Sequence, residues 1–168
     1  MEKKKKYLSL INEQTNSARC DVTPIFKDRE AFAELVFDLI APFVGDSIEY
    51  VAGIDALGFV LGSAMALRLQ KGFIPIRKEG KLPVPADIAE FIDYSLQKKA
   101  LELAEGTCKF GDRVLLVDEW IETGSQVQAA IRLLEKQGAT IIGIASISID
   151  DNEATAIIKK KYRCHTVR

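Results

Sequence analysis

The apolar run Val114 to Val117 leads without a break into Asp118 and Glu119, and Glu122 follows four positions after the first carboxylate. Close carboxylates raise one another's pKa unless a cation or hydroxyl donors stabilise the charged form. At the end of a buried strand this set suits a sugar diol, a divalent metal, or both. Thr123, Gly124 and Ser125 then open a helix. Backbone N–H groups, two hydroxyls and the positive end of the helix dipole make an anion site there. The segment thus offers acid for a ribose and an adjoining cradle for a phosphate. The plainer alternative is an acidic strand end with a Thr N-cap.

Two further segments could handle charge. Ile76-Arg77-Lys78-Glu79-Gly80-Lys81-Leu82-Pro83 carries three cations on a turn-forming stretch after a strand. Arg presents a forked donor set and Lys a mobile point charge, a combination suited to phosphate oxygens. A solvated basic loop is the alternative. In Val51 to Phe59 a buried strand runs into Asp55 and a turn, and Gly58 stands at a helix start. Glycine there would let backbone N–H groups come close to an anion. The alternative is an ordinary strand-to-helix turn.

These segments need a frame. Phe32, Leu35, Val36, Leu39, Ile40 and Phe43 fall at helical spacing after an Asp28 N-cap, and Pro42 and Gly45 close that helix. Ile48–Ile54, Phe73–Ile76, Arg113–Val117 and Ile141–Ile149 read as short strands. Helices are expected over Phe59–Leu69, from about Gly124 to Gln137 with Gly138 after its end, and over Ala154–Lys161. Tyr162–Val167 suggests a last strand. Residues 78–97, with Gly80, Pro83 and Pro85, predict a long loop with a short helix at Ala86–Phe91. Short apolar strands alternating with helices predict an α/β fold, a doubly wound parallel sheet flanked by helices. Ligands in such sheets sit at the carboxyl ends of the strands.

The chain has 168 residues, the size of one domain, with no repeat and no Ser/Gly/Pro-rich linker. Lys and Arg total 23 against 24 Asp and Glu, for a net charge of −1. That balance excludes a nucleic-acid binder acting by bulk attraction and an acidic disordered chain. Cys20, Cys108 and Cys164 form no C-x-x-C pair, and His165 is the single histidine, which argues against a zinc site. No apolar run approaches the roughly 20 residues needed to span a bilayer. Tyr7–Ile11 is too short for a signal-peptide core. A reducing cytoplasmic compartment is therefore expected. Lys3 to Lys6 reads as a frayed, solvated tail, with an anion-binding arm as the alternative.

Taken together, the chain resembles type I phosphoribosyltransferases, and most of all the adenine-specific branch. The resemblance runs from about Asp21 to Ile149. It rests on Asp21-Val22-Thr23-Pro24, Ala52 to Phe59, the Arg-Lys-x-Gly-Lys-Leu-Pro run at 77–83, Tyr94-Ser95-Leu96, and Asp118 to Ser125. It implies that phosphoribosyl pyrophosphate (PRPP) is bound with Mg²⁺ and that a purine base, adenine first, displaces the pyrophosphate. It implies that Asp118 and Glu119 hold the ribose hydroxyls and, mostly indirectly, the metal. Glu122, Thr123, Gly124, Ser125 and Gln126 would wrap the 5′-phosphate. Ala56, Leu57, Arg77, Lys78 and Lys81 would face the pyrophosphate, at a turn that in the family often holds a non-proline cis peptide. Trp120 and Ile121 would border the base. Residues 78–104 would form a flexible lid loop, and the first 25 or so a tail or hood. A homodimer is implied, with no nucleic acid or membrane partner.

Several positions depart from that pattern. Leu57 stands where the family carries Arg, and Gln126 where it carries Thr. Gln97 stands where a lid carboxylate handles the proton, and an amide cannot transfer one. Glu122 offers a substitute, since the hypoxanthine-guanine branch has an acid there; the alternative is a Glu that only complements the helix dipole. Trp120 either reshapes the base pocket or packs under the lid. The segment Ala18-Arg19-Cys20-Asp21 does not align with the family's hood. Two other functions stay open on the sequence: a PRPP-binding sensor without transfer, and a transferase for hypoxanthine, guanine or xanthine.

Overall fold

The computed structural model describes residues 5–16 and 19–168. Helix α1 (Lys6–Ser9) is followed by α2 (Thr23–Lys27), α3 (Arg29–Ile40) and a 3-10 turn at Ala41–Phe43. Asp28 caps α3 as its position predicts. Its carboxylate accepts from the N–H groups of Glu30 and Ala31 at 3.1 and 2.9 Å, filling two of the four donors that a helix start leaves open. Then come β1 (Tyr50–Ile54), α4 (Leu57–Leu69), β2 (Gly72–Lys78), β3 (Ala86–Ile92) and β4 (Lys98–Ala104). The chain continues through β5 (Arg113–Val117), β6 (Trp120–Ile121), α5 (Ser125–Lys136), β7 (Thr140–Ser146), β8 (Ser148–Ile149), α6 (Glu153–Lys161) and β9 (Cys164–Thr166).

Seven strands form one sheet in the order β3-β4-β2-β1-β5-β7-β9, and β6 pairs with β8 in a small second sheet. From β2 to β9 the large sheet is parallel. Alternate residues of its strands feed two cores. Ala52, Ile54, Val114 and Leu116 pack with Val127, Ile131 and Leu134 of α5. Val51, Leu115 and Val117 pack on the other face with Leu35 and Leu39 of α3 and Leu61 and Met65 of α4. The doubly wound frame is therefore present, and it holds the carboxyl ends of β1, β2 and β5 side by side.

The expected loop at 78–97 is corrected. Residues 86–92 form a strand rather than a helix, and β3 pairs antiparallel with β4 along its whole length, from Ala86 opposite Ala104 to Ile92 opposite Lys98. β4 joins the sheet antiparallel to β2. The strand state is imposed by partners distant in sequence, which local periodicity does not report. The expected strand at 141–149 is likewise two strands, broken at Ile147.

The amino-terminal expectation also changes. Lys3 and Lys4 lie outside the described residues, but Lys5 and Lys6 are tied down. Lys5 Nζ sits 3.1 Å from Asp38 and Lys6 Nζ 2.8 Å from Asp28. Tyr7 is buried, and its hydroxyl donates to Asp38 at 2.7 Å. Burial of one aromatic ring, worth about 1.5–3 kcal/mol, fixes α1 onto α3. Among the described residues no helix is long and apolar enough to cross a membrane.

Candidate active site

Strand β5 is buried on both faces, so Asp118 is delivered to the sheet edge at 5% exposure. Its N–H donates to the Ala145 carbonyl at 3.2 Å, and the Glu119 N–H donates to Asp118 Oδ1 at 2.9 Å. Burial, then the charge of the adjoining Glu119, push the Asp118 carboxyl well above the usual carboxylate range. This pair is held at a cost and has room for a ligand that supplies hydroxyl donors or positive charge.

Beyond it, β6 is pinned to β8, and the Asn152 side chain donates to the Glu122 carbonyl at 2.7 Å. These bonds bend the chain into the start of α5. The N-cap is Gly124, not Thr123. Gly124 takes φ +76°, and a Cβ there would lie 2.8 Å from Ile158 Cδ1, so only glycine suits the bend. The hydroxyls of Thr123 and Ser125 are 2.9 Å apart. Together with the first-turn N–H groups they line the positive end of a twelve-residue helix.

The turn after β1 faces the same space. Its Asp55–Ala56 peptide is cis, as the resemblance implies. A Cβ at Gly53 would lie 2.3 Å from the Gly58 carbonyl oxygen, so glycine permits α4 to start directly against β1. Gly58 itself makes room for the Val117 carbonyl and for Asp118.

These walls enclose a cleft of about 260 Å³. It is lined by Ala56, Leu57 and Lys78, and by every residue from Asp118 to Val127. Three expected residues do not line it. Gln97 is exposed in the hairpin turn. Arg77 Nε lies 3.9 Å from Asp55, and its Nη1 donates to the Lys81 carbonyl at 3.3 Å. Lys81 belongs to an outer loop whose N–H groups at Gly80, Lys81 and Leu82 all donate to Glu102, at 3.0, 2.6 and 2.6 Å. Those three bonds outweigh burial and keep the Glu102 carboxyl below its ordinary range.

Sequence reasoning gives no site role to Arg19, Phe91, Asp93, Tyr94 and Lys99, all of which line the cleft. Arg19 Nε pairs with Glu122 at 2.5 Å, its Nη2 lies 4.0 Å from Glu119, and its guanidinium stacks 5.2 Å from the Tyr94 ring. Glu122 is thus an ion-paired acid on the wall of the cleft. An adjoining chamber of about 310 Å³ is lined by Arg19 to Val22, Leu57, Trp120 and Glu122. Trp120 forms the shared wall. Its Nε1 donates to Asp150 at 2.8 Å, and the Arg168 guanidinium lies 5.0 Å over its ring. Those contacts hold it to the carboxyl-terminal part of the chain, and it shares the cleft with Phe91 and Tyr94 of the lid segment. No local pattern in Phe91–Lys99 marks a hairpin facing the site; its strand pairing does.

The Phosphoribosyl transferase domain family model matches residues 25–168 of this chain. The adenine phosphoribosyltransferase of Jannaschia sp. is 42% identical over 127 residues, 76% of this chain and 70% of that protein. The one from Ralstonia nicotianae is 43% identical over 76% of this chain, and the match spans 64% of its own length. A crystal structure of the Saccharomyces cerevisiae adenine phosphoribosyltransferase, complexed with an imino-altritol bisphosphate and adenine, superposes with a TM-score of 0.84. It is 25% identical and covers 97% of both chains.

Proposed function

This chain belongs to the phosphoribosyl transferase domain family, and from that membership we infer that it transfers the 5-phosphoribosyl group of PRPP to a purine base. Adenine is the base its relatives' names favour, giving AMP and pyrophosphate. The observation that carries the reading is a single cleft holding a desolvated acid pair beside the amino end of α5.

We assign the residues as follows. Asp118 and Glu119 accept hydrogen bonds from the ribose hydroxyls. Thr123 to Gln126, with the Glu122 main chain, surround the 5′-phosphate through N–H and hydroxyl donors. Ala56, Leu57 and Lys78 face the pyrophosphate. Arg77, from the end of β2, and Lys81 act by shaping the 80–82 loop rather than by contact. The bond from the anomeric carbon to the pyrophosphate oxygen breaks as the bond to the purine nitrogen forms, and the proton of that nitrogen passes to the carboxylate of Glu122, which lines the base chamber. The transition state carries positive charge on the sugar, and the carboxylates of the acid pair stand where that charge develops. Positioning of two bound reactants supplies much of the remaining acceleration. The chamber beside Trp120 has room for the base, and Ile121 borders it from the cleft side.

The acid pair also suits Mg²⁺, which commonly binds through one or two carboxylates plus substrate phosphates. The buried Asp118 carboxyl with Glu119 beside it is a donor set that a divalent cation relieves. When bound, the ion would neutralise charge on the departing diphosphate. A homodimer and a cytoplasmic location complete the proposal. Phe37 and Leu67, large apolar residues that stand exposed on α3 and α4, fit the first, and three free cysteines fit the second.

The test is pyrophosphate release from PRPP and Mg²⁺ with adenine, hypoxanthine, guanine, xanthine or orotate. Turnover with adenine above the other bases is expected. Binding of PRPP with no turnover on any base would overturn the transferase reading.

A further inference from the structure

The diphosphate end of PRPP carries the larger share of its charge, yet only Lys78 of the basic stretch lines the cleft. A second lysine reaches the same space from the hairpin. Lys78 on β2 lies directly opposite Leu101 on β4. Side chains two apart on a strand share a face, and a diagonal pair across strands stands about 7–8 Å apart. Lys99 is therefore the diagonal neighbour of Lys78 on the side that faces the cleft, and both side chains line it. Among the described residues, Lys99 is the cation of the β3–β4 hairpin that does so.

Its placement is built rather than incidental. Lys99 Nζ is ion-paired with Asp93 Oδ2. The other oxygen of Asp93 accepts from the Ser95 N–H at 2.8 Å, the Ser95 hydroxyl at 2.7 Å and the Gln97 N–H at 3.0 Å. Asp93 is buried to 8% exposure and cannot swing away. One of the three ammonium protons of Lys99 goes to Asp93, which leaves two for a ligand. Three donors on one Asp93 oxygen and the Lys99 ammonium beside the other make Asp93 a fixed anchor.

We propose that Lys99, set in place by Asp93, is a second pyrophosphate-binding cation of this enzyme, carried on the hairpin so that the charge arrives with it. The proposal rests on the transferase reading above. Gln97 then has no chemical role, and the turn it occupies serves to hold Asp93.

The experiment uses the full chain and three probes: PRPP with Mg²⁺, inorganic pyrophosphate, and ribose 5-phosphate, which lacks the diphosphate. Lys99→Met is expected to weaken PRPP and pyrophosphate about tenfold or more, the usual worth of a charge-assisted bond. Ribose 5-phosphate binding and the KM for adenine should not move. Lys99→Arg should recover most of the loss. Asp93→Asn keeps an acceptor for Ser95 and Gln97 while removing the anchor's charge, so it should give a smaller loss confined to the same two probes. Pyrophosphate affinity of Lys99→Met within about twofold of the unaltered protein would overturn the proposal. So would an equal weakening of ribose 5-phosphate, which would mark general damage to the cleft. Failure of the unaltered protein to bind PRPP would instead overturn the transferase reading, and this inference with it.

Discussion

The cleft has two halves that are made differently. From Asp118 to Gln126 the chain supplies acid pair, bend and helix start within nine consecutive residues. They are held by the buried strand β5 and by β8 and α6 at their back. The half from β2 to β4 is assembled across distance. Its loop hangs on Glu102, which lies 20 to 22 residues from the three N–H groups it accepts. Its hairpin packs Ala89, Leu101 and Leu103 into the core beneath α5 and adds polar bonds: Arg132 to the Glu90 carbonyl at 2.6 Å, and Lys136 and Gln137 to Asp87. A segment fixed by core packing opens only with the whole domain, whereas one fixed by a few polar bonds opens locally. Ligand charge is thus met by a floor set in the core and by a wall whose outer 80–82 loop and 93–97 turn rest on polar bonds.

The largest effect should follow from breaking the floor. Replacing Asp118 by Asn and Glu119 by Gln keeps shape and removes both charges. A loss of about 10²- to 10³-fold in kcat/KM is expected, the range for removing an electrostatic stabiliser, read by pyrophosphate release. The same double variant should melt at a higher temperature than the unaltered chain, because an uncompensated buried carboxylate is costly in the empty protein. Loss of activity together with a lower melting temperature would mean the pair is structural.

Next in size is the wall. Glu102→Leu leaves three N–H groups of the 80–82 loop without an acceptor, at about 1–3 kcal/mol for each one that stays buried. Amide exchange should rise across residues 79–104 while the start of α5 keeps its protection. KM for PRPP should rise about tenfold. Equal loss of protection in both regions would erase the distinction drawn between them.

That same distinction governs what the sequence reveals. Floor residues are legible because each determinant is a neighbour of the next: an apolar strand, two acids, a glycine, an amphipathic helix. Every residue from Asp118 to Gln126 that the sequence marks lies on the cleft. The wall is not legible that way. Arg77 and Lys81 look like phosphate ligands by composition, but pairing of β2 with β4 turns them to Asp55 and the Glu102 loop. Ala86–Phe91 looks helical, and only its partner strand makes it extended. Arg19 and Lys99 carry no local mark at all, since what matters is the carboxylate that each meets, Glu122 at 103 positions' distance and Asp93 across a turn.

Acid should separate the halves in opposite senses. Asp87, Asp93 and Glu102 on the wall all titrate below their ordinary values, through Lys136, Lys99 and backbone donors respectively. A lowered native pKa gives stability that is complete above the unfolded value and is lost as pH falls through the native one. Asp118 is raised, so its contribution has the opposite sign, present at low pH and lost as pH rises through its native value. Between about pH 5 and pH 2 amide protection of β3 and β4 should therefore fall before that of β5 and α5. Simultaneous loss would show that the hairpin's carboxylates do not hold it.

The smallest expected effect concerns the bond that joins the halves. The Ser125 hydroxyl donates to the Ile92 carbonyl at 2.6 Å, linking the phosphate-side helix to the last residue of β3. A hydroxyl has one proton to donate. If the 5′-phosphate takes that proton, the Ile92 carbonyl is released and the hairpin edge loses an anchor. Ligand at the floor would thus be felt by the wall through one hydrogen bond, worth about 0.5–1.5 kcal/mol. Ribose 5-phosphate, which engages only the floor, should then speed exchange at the end of β3 in the unaltered protein. In Ser125→Ala that region should exchange faster already, by about threefold to tenfold, and respond no further to the sugar phosphate. An undiminished response in Ser125→Ala would place the coupling elsewhere, with the Arg19–Tyr94 stack the next contact to remove.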